Sequence, residues 1–171
     1  KEMNARSVRG IINKGGTILH MLRNYLGDSA FFEGLKEYLT TYQYGSAEVH
    51  QLRLIFEKIT GKDLNWFFNQ WYYGSGHPKI DVSYDYNTIQ RKVTVNLLQL
   101  NSNAFAFPIA IDIFEEGKRI RHNVFVKGKD ASFTFTYSKL PTLIQVNADG
   151  VLLCEINENK VLIIQIESVT L

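Results

Sequence analysis

Apolar residues along this chain follow two different periods, and the change falls near Gly74-Ser75-Gly76-His77-Pro78. Before that point they return every three or four positions, as on a helix with one buried face. After it they alternate, as on a strand with one buried face. Ile18, Met21, Leu22, Tyr25 and Leu26 form a first helical stripe. Gly27 is expected to stop it in a left-handed cap, with Asp28 or Ser29 capping the next start. Phe32, Leu35, Leu39 and Tyr42 supply a second stripe, and Gly45-Ser46 breaks it with Ser46 as the following N-cap. Val49, Leu52, Phe56 and Ile59 make a third; Gly61 ends it and Asp63 opens a fourth, carried by Leu64, Phe67, Phe68 and Trp71. Short links between one-sided stripes predict antiparallel helical hairpins in a bundle or a solenoid-like stack.

The second half reads as strands. Val82, Tyr84 and Tyr86 alternate with polar residues, as do Val93, Val95 and Leu97, then Ile109, Ile111 and Ile113. Glu116-Gly117 turns the chain, and Ile120, His122, Val124 and Val126 run back. Phe133, Phe135 and Tyr137 follow, then Leu143, Ile144 and Val146, with Asp149-Gly150 as a hairpin dipeptide. Pro108 and Pro141 suit strand starts or edges, where no ladder donor is missed. About seven strands with regular turns predict an antiparallel sandwich. The fold class expected is therefore α+β: an N-terminal antiparallel helical segment, residues 1–76, followed by an antiparallel β-sandwich of Ig-like type, residues 77–171.

Composition narrows the chemistry. The 171 residues are 45% hydrophobic and 21% charged, with a net charge of +2. Lys and Arg are scattered, so no nucleic-acid surface is expected. The short runs Lys118-Arg119-Ile120-Arg121 and Lys127-Gly128-Lys129 read as a hairpin's solvated face. Cys154 stands alone in an apolar run and reads as a buried, inert thiol. No apolar run reaches the length of a membrane span. The chain opens on Lys1 and reads as a piece of something larger.

A helical zinc site needs two histidines four apart with a glutamate between them, so that both rings face one ion. His20, His50, His77 and His122 have no partner at such spacing, so no metal ligand is expected in this chain. His20 reads as packed on its helix, His50 as surface, His77 as part of the linker and His122 as mid-strand. Trp66, Trp71, Tyr72 and Tyr73 read first as core packing against the sandwich and second as the lining of a binding groove. Phe105, Phe107, Phe133 and Phe135 read first as sandwich core.

The most specific stretch is Ile12-Asn13-Lys14-Gly15-Gly16, followed by Leu19-His20-Met21-Leu22-Arg23. Leu26-Gly27-Asp28, Phe31-Phe32, Gly34-Leu35 and Tyr38 come next; then Asp63-Leu64, Phe67-Phe68, Gln70-Trp71 and Gly76-His77-Pro78. In order and spacing, residues 12–78 resemble the C-terminal part of the catalytic domain in the aminopeptidase N family of gluzincin zinc metallopeptidases. A β-sandwich after Gly-x-Pro also resembles that family, and the likeness ends near residue 155. The resemblance implies a parent that hydrolyses N-terminal residues from peptides with a zinc-activated water. It places Lys14, Gly15 and Gly16 at the substrate cleft, leading into their helix, and implies zinc ligands upstream of Lys1.

One departure matters. Where the family carries the tyrosine that donates to the developing oxyanion, this chain has Ile12. Such a donor contributes roughly 3–4 kcal/mol to the transition state, and an aliphatic side chain supplies none of it. No catalytic residue is therefore expected here. The chain by itself is expected to be an inactive structural part of a zinc metallo-aminopeptidase, meeting peptide substrate through the parent's catalytic domain and holding no cofactor. Two alternatives stand beside this reading. One is a pseudo-peptidase that binds peptides or partners. The other is a sandwich module that recognises carbohydrate.

Overall fold

The structure is a computed structural model that describes the backbone of residues 5–158 and the side chains from residue 14 onward. The chain divides after Gly76 into two compact units, the short stretch Val151–Leu153 grouping with the first. The first unit holds α1 (Ala5–Leu26), α2 (Asp28–Thr41), α3 (Val49–Thr60), the single turn α4 (Asn65–Phe67) and a π-helical segment, Phe68–Tyr73.

The α1 stripe packs as its spacing predicts, with Ile18, Met21 and Leu22 buried. Gly27 differs from expectation. Its φ of 87° is positive, but its ψ of 156° is extended, so it is no left-handed cap. It ends α1 and is itself the N-cap of α2, and Asp28 lies inside the first turn. There the Asp28 carboxylate accepts two hydrogen bonds from Arg23, both 2.8 Å.

The second stripe is one residue out of register. Phe31 and Gly34 are buried, whereas Phe32 and Leu39 are exposed. The reason is Phe56 of α3, fully buried and stacked on Phe31 at 5.6 Å between ring centroids. A Cβ at Gly34 would collide with the Phe56 ring. The absence of a side chain is what lets α2 and α3 approach here. Ser46 does not cap α3; Glu48 holds the N-cap position and its N–H donates to the Gln51 side chain at 2.7 Å. Gly61 does end α3 left-handed, with φ 66° and ψ 8°. Asp63 accepts the Asn65 N–H at 2.8 Å, and Leu64, Phe67, Phe68 and Trp71 are all buried. Glu57 ties the two segments: it pairs with Arg53 and accepts the Leu64 N–H at 2.8 Å.

The second unit contains two sheets. One has the strand order β5-β2-β1-β7 and the other β4-β3-β6. The strands are β1 (Lys79–Asn87), β2 (Lys92–Gln99), β3 (Phe107–Glu115), β4 (Lys118–Val126), β5 (Asp130–Thr136), β6 (Leu143–Val146) and β7 (Glu155–Glu158). Alternation does its expected work. Ile80, Val82, Val93, Val95 and Leu97 are buried on the first sheet, and Phe107, Ile109, Ile111 and Ile113 on the second. His122 of β4 packs against the ring of Phe135 on β5, 4.3 Å between centroids, so the two sheets adjoin there. Pro108 pairs only with β4, because β6 reaches β3 from Ile111 onward. Gln99 is buried with its amide fully used. Nε2 donates to the carbonyls of Phe105 and Gly128, both 2.8 Å, and Oε1 accepts the Phe105 N–H at 2.9 Å.

Two strand expectations need correcting. Asp149-Gly150 forms a turn but no hairpin, because β6 and β7 lie in different sheets. β7 instead pairs with β1 in parallel, so the sandwich is not wholly antiparallel. The run through Arg121 is also more than a solvated face. Asp112, 1% exposed, accepts two hydrogen bonds from Arg121, at 2.7 and 2.6 Å, and Arg121 also reaches Asp149. Strand register sets Asp112 directly opposite Arg121. The guanidinium holds the Asp112 carboxyl below the usual carboxylate range and Asp112 in turn pushes Arg121 up.

Two outcomes are expected. Gly34→Ala should lower stability by up to about 2 kcal/mol, since overpacking costs about 1–3 and alanine returns only about 1 in a helix; a thermal melt checks it. Asp112→Asn should cost about 2 kcal/mol at neutral pH, the size of a hydrogen bond to a charged group. The native carboxyl lies below its unfolded value, so its contribution is complete above about pH 4 and disappears as pH falls through the native value. Urea melts of wild type and variant should therefore differ at neutral pH and converge in acid.

Candidate functional site

Lys14, Gly15 and Gly16 were expected to lead into their helix, but α1 already begins at Ala5, so all three sit inside it. Two consecutive glycines weaken a helix by about 1 kcal/mol each against alanine. Burial of Ile18, Met21 and Leu22 just beyond them, at about 1.5–3 kcal/mol each, outweighs that cost. Gly15 and Gly16 are exposed, and apart from the helix's own nearby backbone no described atom stands within 4 Å of where a Cβ would be on either. The α1 backbone is therefore bare over two residues. Ile12 lies in α1 too; its side chain falls outside the described residues.

Lys14 sits inside α1 and not at its start. It is half-buried, and its Nζ donates to the carbonyl of Gly74 at 3.2 Å. Gly74 follows the π-helical segment directly, and a side chain there would run into the carbonyl oxygens of Gln70 and Asn69. Trp71 is buried and anchors that segment, while Tyr72 and Tyr73 are exposed and meet edge to face at 5.1 Å. Trp66 is half-buried, its ring edge-on to Tyr25 at 5.6 Å, and Lys62 lies 4.5 Å over the Tyr25 ring. Spacing alone thus missed the Lys14–Gly74 bond, which joins positions with no sequence pattern in common. The Asp112–Arg121 pair did leave a signal: an acid inside an Ile-rich strand, followed by a tight turn that sets an arginine opposite it.

The histidines are dispersed. His20 is exposed rather than packed, with Asn24 Nδ2 3.3 Å from its Nε2. His50 pairs with Glu48 at 3.2 Å and His77 with Glu155 at 2.7 Å. Among the described residues, no three His, Cys, Asp or Glu side chains converge as a metal ion requires. Among the same residues, no helix is long and apolar enough to cross a membrane. The outer face of the four-stranded sheet is polar and tied to itself: Asn96 donates to Asp85 at 2.6 Å and accepts from Ser132 at 2.7 Å, and Thr94 meets Thr134 at 2.9 Å.

The bare glycine pair lies in a stretch that matches a known family. Residues 10–71 match the peptidase family M1 domain. Over these residues the chain is similar to the family that includes aminopeptidase N. A probable aminopeptidase 2 from Sulfurisphaera tokodaii is 29% identical over 118 residues, covering 69% of this chain and 15% of that protein. The tricorn protease-interacting factor F2 of Thermoplasma volcanium is 32% identical over 106 residues, 61% of this chain and 14% of that protein. The chain thus spans about a seventh of the length of these relatives. The fold is that of aminopeptidase A from Legionella pneumophila, solved in complex with aspartic acid. Superposition covers 87% of this chain and 18% of that one, with a TM-score of 0.76 at 18% identity.

Burial pushes the Cys154 thiol up to about 11, against the smaller opposing effect of Asn147. Since the thiolate is the nucleophile, iodoacetamide at about pH 8 should leave native Cys154 unmodified and label it in strong denaturant. Mass spectrometry of both samples checks this.

Proposed function

We propose that this chain is a non-catalytic wall of the peptide cleft in a zinc aminopeptidase, with Lys14, Gly15 and Gly16 at the cleft. The observation that supports it most is the side-chain-free surface of α1 at Gly15 and Gly16, within the stretch that matches the family. A peptide backbone can approach a helix closely only where no Cβ intervenes. The family implies zinc in the whole protein, where the ion activates water for attack on a peptide carbonyl. The residues described here bind and orient; they offer no nucleophile, no general base and no metal-ligand set. In this reading residues 1–76 form the helical end of the catalytic domain, and residues 77–171 form a β-sandwich domain.

A second reading rests on Ile12. With no donor where the family has its tyrosine, the whole protein is a pseudo-peptidase that binds peptides without cleaving them. The first reading is preferred because it rests on described geometry at Gly15 and Gly16, whereas the Ile12 side chain lies outside the described residues. A carbohydrate-binding sandwich has less support, since the outer face of the four-stranded sheet presents Ser, Thr, Asn and Asp instead of stacked aromatic rings.

Two measurements test the proposal. Metal analysis of the purified chain should find far less than one zinc per chain; a stoichiometric ion would overturn it. Titration with trialanine, followed by amide NMR, should shift Gly15 and Gly16 and leave β2 unmoved. Shifts confined to the sandwich would sink the wall assignment.

A further inference from the structure

Lys14 was singled out as a cleft residue, yet its ammonium is already engaged. Nζ donates to the Gly74 carbonyl, across sixty residues of sequence, from a half-buried position. Both ends of that bond are constrained. Gly74 is held where its backbone meets the Gln70 and Asn69 carbonyls too closely for any side chain. The π-helical segment before it is anchored by Trp71, 1% exposed, packed in a row with Phe67 and Phe68. The Gly74 carbonyl is therefore a fixed acceptor at the C-terminal end of a helical segment, where a cation is favoured. The other end of the bond lies at the weakest part of α1. Gly15 and Gly16 give the helix the least intrinsic preference of any two adjacent positions in it, and they make no side-chain contacts of their own.

We propose that Lys14 is a positioning residue: by donating to Gly74 it holds the Gly15–Gly16 face of α1 in place, and it does not itself contact peptide. This rests on the cleft-wall reading only for the peptide; the tether stands on the geometry alone. A long flexible side chain with one donor spent on a fixed carbonyl has its stem ordered across the contact. The first effect of its loss is then local opening of the glycine turn, ahead of any change in charge at the cleft.

The test uses the full chain with Lys14→Met, which keeps the stem and removes the donor, and Lys14→Arg, which restores one. Hydrogen exchange at the Gly15, Gly16 and Thr17 amides should quicken about tenfold in Lys14→Met, the size expected for one hydrogen bond to a charged donor. Exchange at Leu22 and Val95 should be unchanged, which also shows that the variant is folded. Lys14→Arg should return the three amides to near wild-type rates. Unchanged exchange at Gly15 and Gly16 in Lys14→Met overturns the proposal. So does weaker trialanine binding with unaltered exchange, because Lys14 would then touch the peptide directly. If wild type itself shows no trialanine shifts, the cleft-wall reading fails while the exchange result still decides the role of Lys14.

Discussion

Position 74 has no room for a side chain, and that exclusion organises the end of the helical unit. The π-helical turn before Gly74 brings the Gln70 and Asn69 carbonyls against its backbone, so only glycine fits. The same geometry leaves the Gly74 carbonyl facing α1, where Lys14 takes it. Two glycine-dependent contacts matter here: Gly34 under Phe56 sets how α2 and α3 meet, and Gly74 under Gln70 sets how the π-helical segment ends. Both are cases in which removing atoms, rather than adding contacts, permits close packing.

The helical unit was legible where large side chains mark the buried face and illegible where a glycine does. The α1 stripe and the run from Leu64 to Trp71 pack as their spacing implies. The α2 stripe did not, because hydrophobic periodicity counts Phe32 and Leu39 and overlooks Gly34 as an inward position. The caps failed similarly. Asp28, Ser29 and Ser46 are good N-cap residue types, but cap position depends on where the chain can turn, and Gly27 and Glu48 hold those places. The shift from α to π hydrogen bonding at Phe68 leaves the apolar spacing unchanged, so periodicity has no means of seeing it.

In the second unit alternation located β1 to β6, whereas β7 is only four residues long, has no buried position and left no such pattern. It did not find the partners. A turn dipeptide such as Asp149-Gly150 reports local backbone geometry, whereas pairing is decided by which sheet has an open edge. At the candidate site the family-like residues were recognisable from their order, and the comparisons support that kinship. Their setting was not recognisable. Lys14, Gly15 and Gly16 lie within a helix already under way, and the carbonyl that orders Lys14 is sixty residues distant.

The parallel pairing of β7 with β1 carries a consequence for how the molecule is made. Lys79 lies beside Glu155 and Val82 beside Glu158, so the four-stranded sheet stays one strand short until the chain through residue 158 has been synthesised. On a ribosome the helical part emerges first and can pack from local contacts, while β1 waits with an unpaired edge for its last neighbour. Non-local closure of this kind is slow, and an uncovered strand edge is where nascent chains associate wrongly. Between release of β1 and arrival of β7, that open edge is the part of the sheet exposed to wrong pairing.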